Sequence, residues 1–424
     1  MTAVQLTKGA GTPPPRSAMA ELFLGGGPAR RAAWMALGLM LLFSLARVIS
    51  GEERLTAAPT ISLALGLAVP IGLAALGGLF SERAGVVNIG LEGMMILGTW
   101  GAGWAGYQWG WQGALVGGLV LGAVGGLLHA VTTVTFGVDH VVSGVAINIL
   151  AAGVVRFLSE LLYDEDTGGG PAQSPPMKGD APEFTVPLLS EGLRHVEERH
   201  WFLVSDAAGV LGGLVTDISW FTVGVVLLIP LSFFLLWRTS FGLRLRSCGE
   251  NPTAADSLGV PVYRFKYIAV VISGALAGLG GVALVYYADI YREGQTDGRG
   301  FIGLAALIFG NWRPGGLAAG AGLFGYSDAL SVRSETAVVA LLLVLAFLLL
   351  GVAVYQAIRR QLVRAGVALV FAAIAVTGYL TIEEPDGSLL SFTPHLITLL
   401  VLSLASQRLQ MPKADGLVWR RGEN

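Results

Sequence analysis

An all-α polytopic membrane protein is the fold class this sequence predicts, and three observations lead there. Hydrophobic residues make up 54% of the 424 residues and charged ones only 13%, against about a quarter charged in ordinary globular chains. Mean hydropathy is +0.67. The apolar residues gather into about ten runs of roughly 20, the length a helix needs to cross a bilayer. That distribution excludes a water-soluble enzyme and a single-anchor receptor. The one cysteine, Cys248, excludes an intrachain disulfide.

Residues 1–31 hold Pro13, Pro14 and Pro15 and four basic side chains, Lys8, Arg16, Arg30 and Arg31, against Glu21. They read as a disordered cytoplasmic lead rather than a signal peptide, because the polar part is too long and the first apolar run serves as an anchor. Candidate spans follow at 32–50, 59–80, 85–107, 112–136, 141–163, 218–237, 267–288, 337–355, 362–382 and 394–408. With the N-terminus inside, five spans place the loop 164–217 outside, where its ten acidic and three basic residues belong. The loop 238–266, with five basic and two acidic residues, then falls inside, as the positive-inside rule requires.

A further apolar stretch, 301–325, is interrupted by Asn311, Trp312, Arg313, Pro314, Gly315 and Gly316. A single crossing there would put Arg359, Arg360 and Arg364 outside and Glu383, Glu384 and Asp386 inside, against the charge rule. A re-entrant hairpin entering from the outer face and turning at Asn311–Gly316 restores every later loop to its expected side, with Arg420 and Arg421 cytoplasmic. The hairpin is therefore the reading adopted, and such a broken segment should face the protein interior rather than lipid. The chain divides into the lead 1–31, a core at 32–330, an inserted pair of helices at 331–392, and a last helix with a cytoplasmic tail at 393–424. Small residues such as Gly113, Gly117, Gly118, Gly122 and Gly126, or Gly274 and Gly278, let helix backbones approach closely.

Chemistry-bearing motifs are few. No Gly is directly followed by Lys, so the phosphate-binding G-x-x-x-x-G-K-[ST] loop is missing, and so is H-E-x-x-H. ATP hydrolysis is not expected in this chain, and no metal ligands are expected either. Asn88, Glu92, Met95 and Thr99 fall at helical spacing in the third span and read as one polar stripe. An acidic side chain inside a span is costly, so Glu92 should face the bundle interior with a partner or water. A translocation-path role and a helix-to-helix hydrogen bond both fit it. Asn148 and Asn311 are further path candidates. His129 reads as a helix-contact residue, and Arg156 with Glu160 as an i,i+4 ion pair near the outer end.

The most specific local signal lies in the basic loop, Gly249-Glu250-Asn251-Pro252-Thr253-Ala254-Ala255-Asp256-Ser257-Leu258-Gly259. Asn251 suits an N-cap, Pro252 the first helical position, and Gly259 the C-terminal cap, while Pro261 prevents continuation. A two-turn helix over 251–259, roughly 10 Å long, is the expectation. Its shape fits a groove in a soluble partner.

Taken with Ser81 to Met95 (SERAGVVNIGLEGMM), the run GENPTAADSLG resembles the permease subunits of bacterial ABC importers of the ribose and branched-chain amino acid type, nearest to those for nucleosides or simple sugars. The resemblance covers about 59–330. It implies a multi-pass protein of the bacterial inner membrane, moving solute by alternating access. The implied partners are a cytosolic ABC ATPase that binds ATP and Mg, a second permease in a heterodimeric pair, an extracytoplasmic substrate-binding lipoprotein, and membrane lipid; nucleic acid is not among them. It also implies that Gly249, Glu250, Asn251, Pro252, Ala254, Ala255 and Gly259 form the helix that receives the ATPase stroke. The chain departs from the pattern in its long outer loop, in the insertion at 331–392, and in Asp139-His140, where relatives more often carry Asn followed by Glu or Gln. The alternative from another class is a proton-coupled secondary transporter using Glu92. An intramembrane enzyme is disfavoured by the lack of an Asp pair, a metal cluster or a Ser with a His base in the spans.

Overall fold

The computed structural model describes residues 28–179, 181–382 and 409–422. The expected lead up to residue 27 and the expected last span at 394–408 lie outside the described residues. Within them the fold is all-α, with one two-residue antiparallel pairing of β1 (Glu183–Phe184) and β2 (Ile218–Ser219). Eight helices are long and apolar enough to cross a membrane. They hold nine of the ten expected runs, because 85–107 and 112–136 share one helical stretch.

In chain order these are α1 (Pro28–Ser50), α2 (Ala58–Arg83), α3 (Leu91–Ala130), α4 (His140–Leu162), α7 (Trp220–Arg238), α10 (Val262–Ala288), α13 (Glu335–Ile358) and α14 (Leu362–Thr381). Shorter helices lie between them: α5 (Pro187–Glu197) and α6 (Val204–Gly213) in the long acidic loop, α8 (Ser240–Glu250) and α9 (Pro252–Ser257) in the basic loop, then α11 (Arg299–Phe309) and α12 (Pro314–Arg333). Forty residues of straight helix would measure about 60 Å, twice a bilayer core, so α3 must fold back. It does so at Gly110, where φ is +77° and the chain lies against the Lys178 carbonyl of the long loop. Only glycine takes that conformation without strain.

The glycine spacing has the expected consequence along α3 and α10. A Cβ on Gly126 would come within 2.6 Å of the Val270 carbonyl oxygen, and one on Gly122 within 2.6 Å of the Gly278 Cα. The two backbones touch, with no room for side chains between them. At the long-loop face Asp206 of α6 is tied to α1 by Arg47, at 2.6 Å, and by the Ser44 hydroxyl, while Thr56 donates to it at 2.5 Å. Burial pushes that carboxyl up, but the hydroxyl donors and Arg47 outweigh burial and hold it below the ordinary value of 3.8. Arg156 pairs with Glu160 at 2.9 Å as expected, and also with Glu293 at 2.5 Å.

The interrupted stretch is a helical hairpin. α11 begins at mid-bundle and runs to a turn at Gly310–Arg313, and α12 returns to Arg333, whose carbonyl accepts from Arg54 at the long-loop face. The return arm is longer than the apolar run read from sequence. From Glu335 the 24 residues of α13 span about 36 Å. Arg359 and Arg360 therefore arrive on the same face as the basic loop, as the charge reading requires.

Candidate functional site

Three sequence segments far apart in the chain converge on the basic-loop face. At the end of α2, Glu82 accepts from Trp312 Nε1 at 2.5 Å, and Arg83 donates to the Trp312 carbonyl at 2.7 Å. Both side chains grip the turn of the α11–α12 hairpin, where Asn311 and Trp312 sit at φ +52° and +53°. Gly249, at the end of α8, lies against the same end of α2: a Cβ there would come within 2.9 Å of the Arg83 carbonyl carbon and 3.0 Å of the Gly85 nitrogen. Basic loop, hairpin turn and α2 end are thus one packed platform.

On it stands the short helix. Asn251 Oδ1 accepts from Ala254 N at 2.9 Å, Pro252 occupies the first turn, and Gly259 has φ +82°. These are the expected caps. The helix itself, Pro252–Ser257, is shorter than the 251–259 anticipated, because Asn251 and Leu258 serve as its caps; α8 ahead of it was not anticipated. Pro252 and Ala255 are buried against the platform, whereas Glu250, Asn251, Thr253, Ala254, Ser257 and Gly259 are exposed and Leu258 is 85% exposed. An apolar side chain held that far into solvent by a capped helix is a contact surface in waiting. Cys248 below it is buried, and burial pushes its thiol up to about 11, which makes it a poor nucleophile.

Sequence reasoning missed the C-terminal segment 409–422, which runs across this platform. Asn311 accepts from Gln410 N at 2.6 Å, the Gly249 carbonyl from Ala414 N at 2.8 Å, and Thr253 from Trp419 Nε1 at 3.2 Å. Arg421 pairs with Asp256 of the short helix at 3.1 Å. Asp415 is buried beside Glu82. Burial first, and then the neighbouring Glu82 carboxylate, push Asp415 well above the ordinary carboxylate range. No local signal in 409–422 announces these contacts, since the segment is short and without helical period.

The path candidates lie deeper and do not form one stripe. Asn88 sits in an irregular connection, because Ser81–Arg83 belong to α2 and α3 starts only at Leu91. Its Nδ2 donates to Ser273 at 2.8 Å. Glu92 caps α11: Oε1 accepts from Gly298 N at 3.1 Å and Oε2 from Gly300 N at 2.7 Å. A carboxylate at a helix N-terminus meets both unpaired amides and the positive end of the dipole. Asn148, about 12 Å along α4, clamps the start of α3, accepting from Gly93 N at 2.7 Å and donating to the Ile89 carbonyl at 3.1 Å. Met95 is fully buried, and Thr99 donates to its carbonyl at 2.7 Å. Asn311 is remote from all of these, at the hairpin turn. His129 bonds Ser143 of α4 at 2.8 Å and the Val87 carbonyl at 3.0 Å, the helix contact expected of it. Asp139 caps α4 by accepting from Val141 N and Val142 N.

The description of the permease component of branched-chain amino acid transport systems matches residues 60–354. The chain is 39% identical over 276 residues to the guanosine ABC transporter permease protein NupQ of Bacillus subtilis, covering 62% of this chain and 79% of that one. It is 32% identical over 360 residues to the nucleoside ABC transporter permease protein NupC of Lactococcus lactis, covering 82% and 92%. With the putative glucose ABC transporter permease protein TsgC13 of Haloferax volcanii it shares 34% over 291 residues, 67% and 80% of the two chains. No solved structure matches the chain.

Proposed function

The chain belongs to the family of branched-chain amino acid transport permease components, and on that premise we propose that a separate ATPase drives it through the short capped helix α9. It is a multi-pass membrane protein and a permease subunit of an ABC importer for nucleosides or sugars. The observation that carries the mechanism is the exposed face of α9, Thr253, Ala254 and Ser257, together with its exposed C-cap Leu258, on a platform that joins α2, α8 and the hairpin turn.

The ATPase subunit seats this face in a groove and binds it with different affinity in its two nucleotide states. That difference is the free energy available to shift the permease between inward and outward forms. Because Gly249 and the Glu82–Trp312 bond link the short helix to α2 and to α11, a push on Leu258 reaches the bundle through packed backbone rather than through a loose loop. ATP and Mg bind in the ATPase, a second permease completes the path, and an extracytoplasmic lipoprotein delivers solute. The basic-loop face and both termini are cytoplasmic in this reading, and the membrane is the bacterial inner membrane.

Glu92, Asn148, Met95 and Thr99 hold the interior together, on the support of their buried, paired positions. Glu92 already spends both oxygens on backbone amides, which favours a structural anion over a proton carrier. Co-expression with an ATPase, a second permease and a lipoprotein, followed by uptake of labelled guanosine, tests the assignment. Uptake that needs ATP hydrolysis and is lost on Leu258→Asp supports it; uptake that persists without any ATPase refutes it.

A further inference from the structure

At the long-loop face a cavity of about 1390 Å³ opens between the acidic loop and helices α2, α7 and α10. It is lined along α2 from Ala58 to Val69, a descent of about 16 Å, or half the bilayer core. It is roomier than the few hundred Å³ that hold a small solute.

We propose that this cavity is a solute-binding vestibule for neutral polyhydroxylated molecules, nucleosides or simple sugars, and that it rejects their phosphorylated forms; this rests on the solute class proposed above. Three features of the wall support it. Phe221 and Tyr286 meet edge to face at 5.3 Å, and beside them Tyr287 is 64% exposed. Aromatic rings offer a platform to a base or to the apolar face of a sugar. Six carboxylates line the cavity against two guanidinium groups, and one of these, Arg194, lies 3.8 Å from Glu198. Carboxylates accept strongly from hydroxyl pairs and repel phosphate, in a concave site where the field is least screened. Finally, Pro70 inside α2 has no N–H to give the carbonyl of Gly66, four residues earlier, and Gly66 lines the cavity floor with open space beside its Cα. The Gly66 carbonyl therefore lacks its regular helical donor at a depth where backbone is satisfied only by protein or a wet cavity.

A cysteine reporter tests the proposal without needing the ATPase or an assigned orientation. Ser62→Cys places a thiol on the cavity wall, and the one native cysteine, Cys248, is buried and slow to react. In full-length protein in nanodiscs, where both faces are reachable, guanosine or ribose should slow maleimide labelling of Ser62→Cys, and guanosine monophosphate should not. Tyr287→Ala, or Asp289→Asn in its left-handed turn, should raise the concentration needed for protection by about tenfold or more, the loss expected for one stacking or charged hydrogen-bond contact. Gly66→Leu, at a position where an added Cβ meets nothing within 4 Å, should block labelling by filling the space beside Ser62. Labelling unaffected by guanosine and ribose overturns the vestibule, and so does equal protection by the monophosphate. Protection by the delivering lipoprotein alone, with no solute present, assigns the surface to docking and also overturns it. Loss of ATP-driven uptake with protection intact would count against the transport mechanism and leave the vestibule standing.

Discussion

Replacing Asn251 by Ala removes one hydrogen bond and tests the coupling helix where it is weakest. The bond from Ala254 N to Asn251 Oδ1 is 2.9 Å long and caps a helix of only six residues. Loss of an N-cap of this kind costs about 1 kcal/mol, roughly a fivefold shift in the ratio of folded to frayed helix. So short a helix has almost no propagation energy to absorb that shift. Its remaining hold is the burial of Pro252 and Ala255 and the bridge from Arg421 to Asp256. The assay is guanosine uptake and ATP hydrolysis measured together in the assembled transporter, at matched expression. Asn251→Ala should lower uptake per ATP hydrolysed several-fold, and Asn251→Asp, which keeps the acceptor, should restore most of it. If Asn251→Ala matches the parent in both readouts while the complex assembles normally, the cap does not serve coupling and the reasoning fails.

Four further outcomes follow from the geometry. Gly126→Leu forces a side chain into the seam of α3 and α10, where even a Cβ lies 2.6 Å from the Val270 carbonyl; it should destabilise the fold by about 1–3 kcal/mol or more, read as a lower midpoint in thermal unfolding in detergent. Glu92→Gln leaves one amide of α11 without its acceptor, a loss of about 1–3 kcal/mol, yet ATP-driven uptake should remain independent of a proton gradient; uptake that then ceases to follow pH would instead favour proton coupling. Asp206, with its folded value depressed below 3.8, contributes stability that is present above that value and lost as pH falls through the folded one; Asp206→Asn should flatten the acid limb of the unfolding curve. Asp415 has a raised folded value, so it binds its proton more tightly when docked beside Glu82, under the influence of Lys266. Docking of 409–422 should weaken as pH rises from 3.8 through the folded value of about 9, followed as falling protection factors after the intrinsic pH dependence of amide exchange is divided out, and Asp415→Asn should flatten that fall.

What was legible in the sequence is what local chemistry encodes. Asn251, Pro252 and Gly259 carry their own punctuation, so the short helix could be placed to within a residue or two. The break at Asn311–Gly316 could be read as a hairpin because charged loops on either side had to fall on fixed faces. Asn88 could not be placed, since Val86, Val87 and Ile89 look alike in an irregular connection between spans and in a helix. The cost of burying Glu92 was visible, but its partners, Gly298 and Gly300, lie some 200 residues away. The platform contacts of Asp415, Trp419 and Arg421 are long-range and leave no periodic trace. The cavity was likewise hidden, because its wall combines an irregular acidic loop with three separate helices.

Cross-linking from the tip of the short helix tests the central claim most directly. With Leu258→Cys in the assembled transporter, and Cys248 buried beneath it, a short bismaleimide should join this chain to the ATPase subunit, and the yield should change between ATP-bound and nucleotide-free states. A thiol at position 258 that reacts with an impermeant reagent from outside intact cells, or one that never reaches the ATPase in either state, would contradict the account.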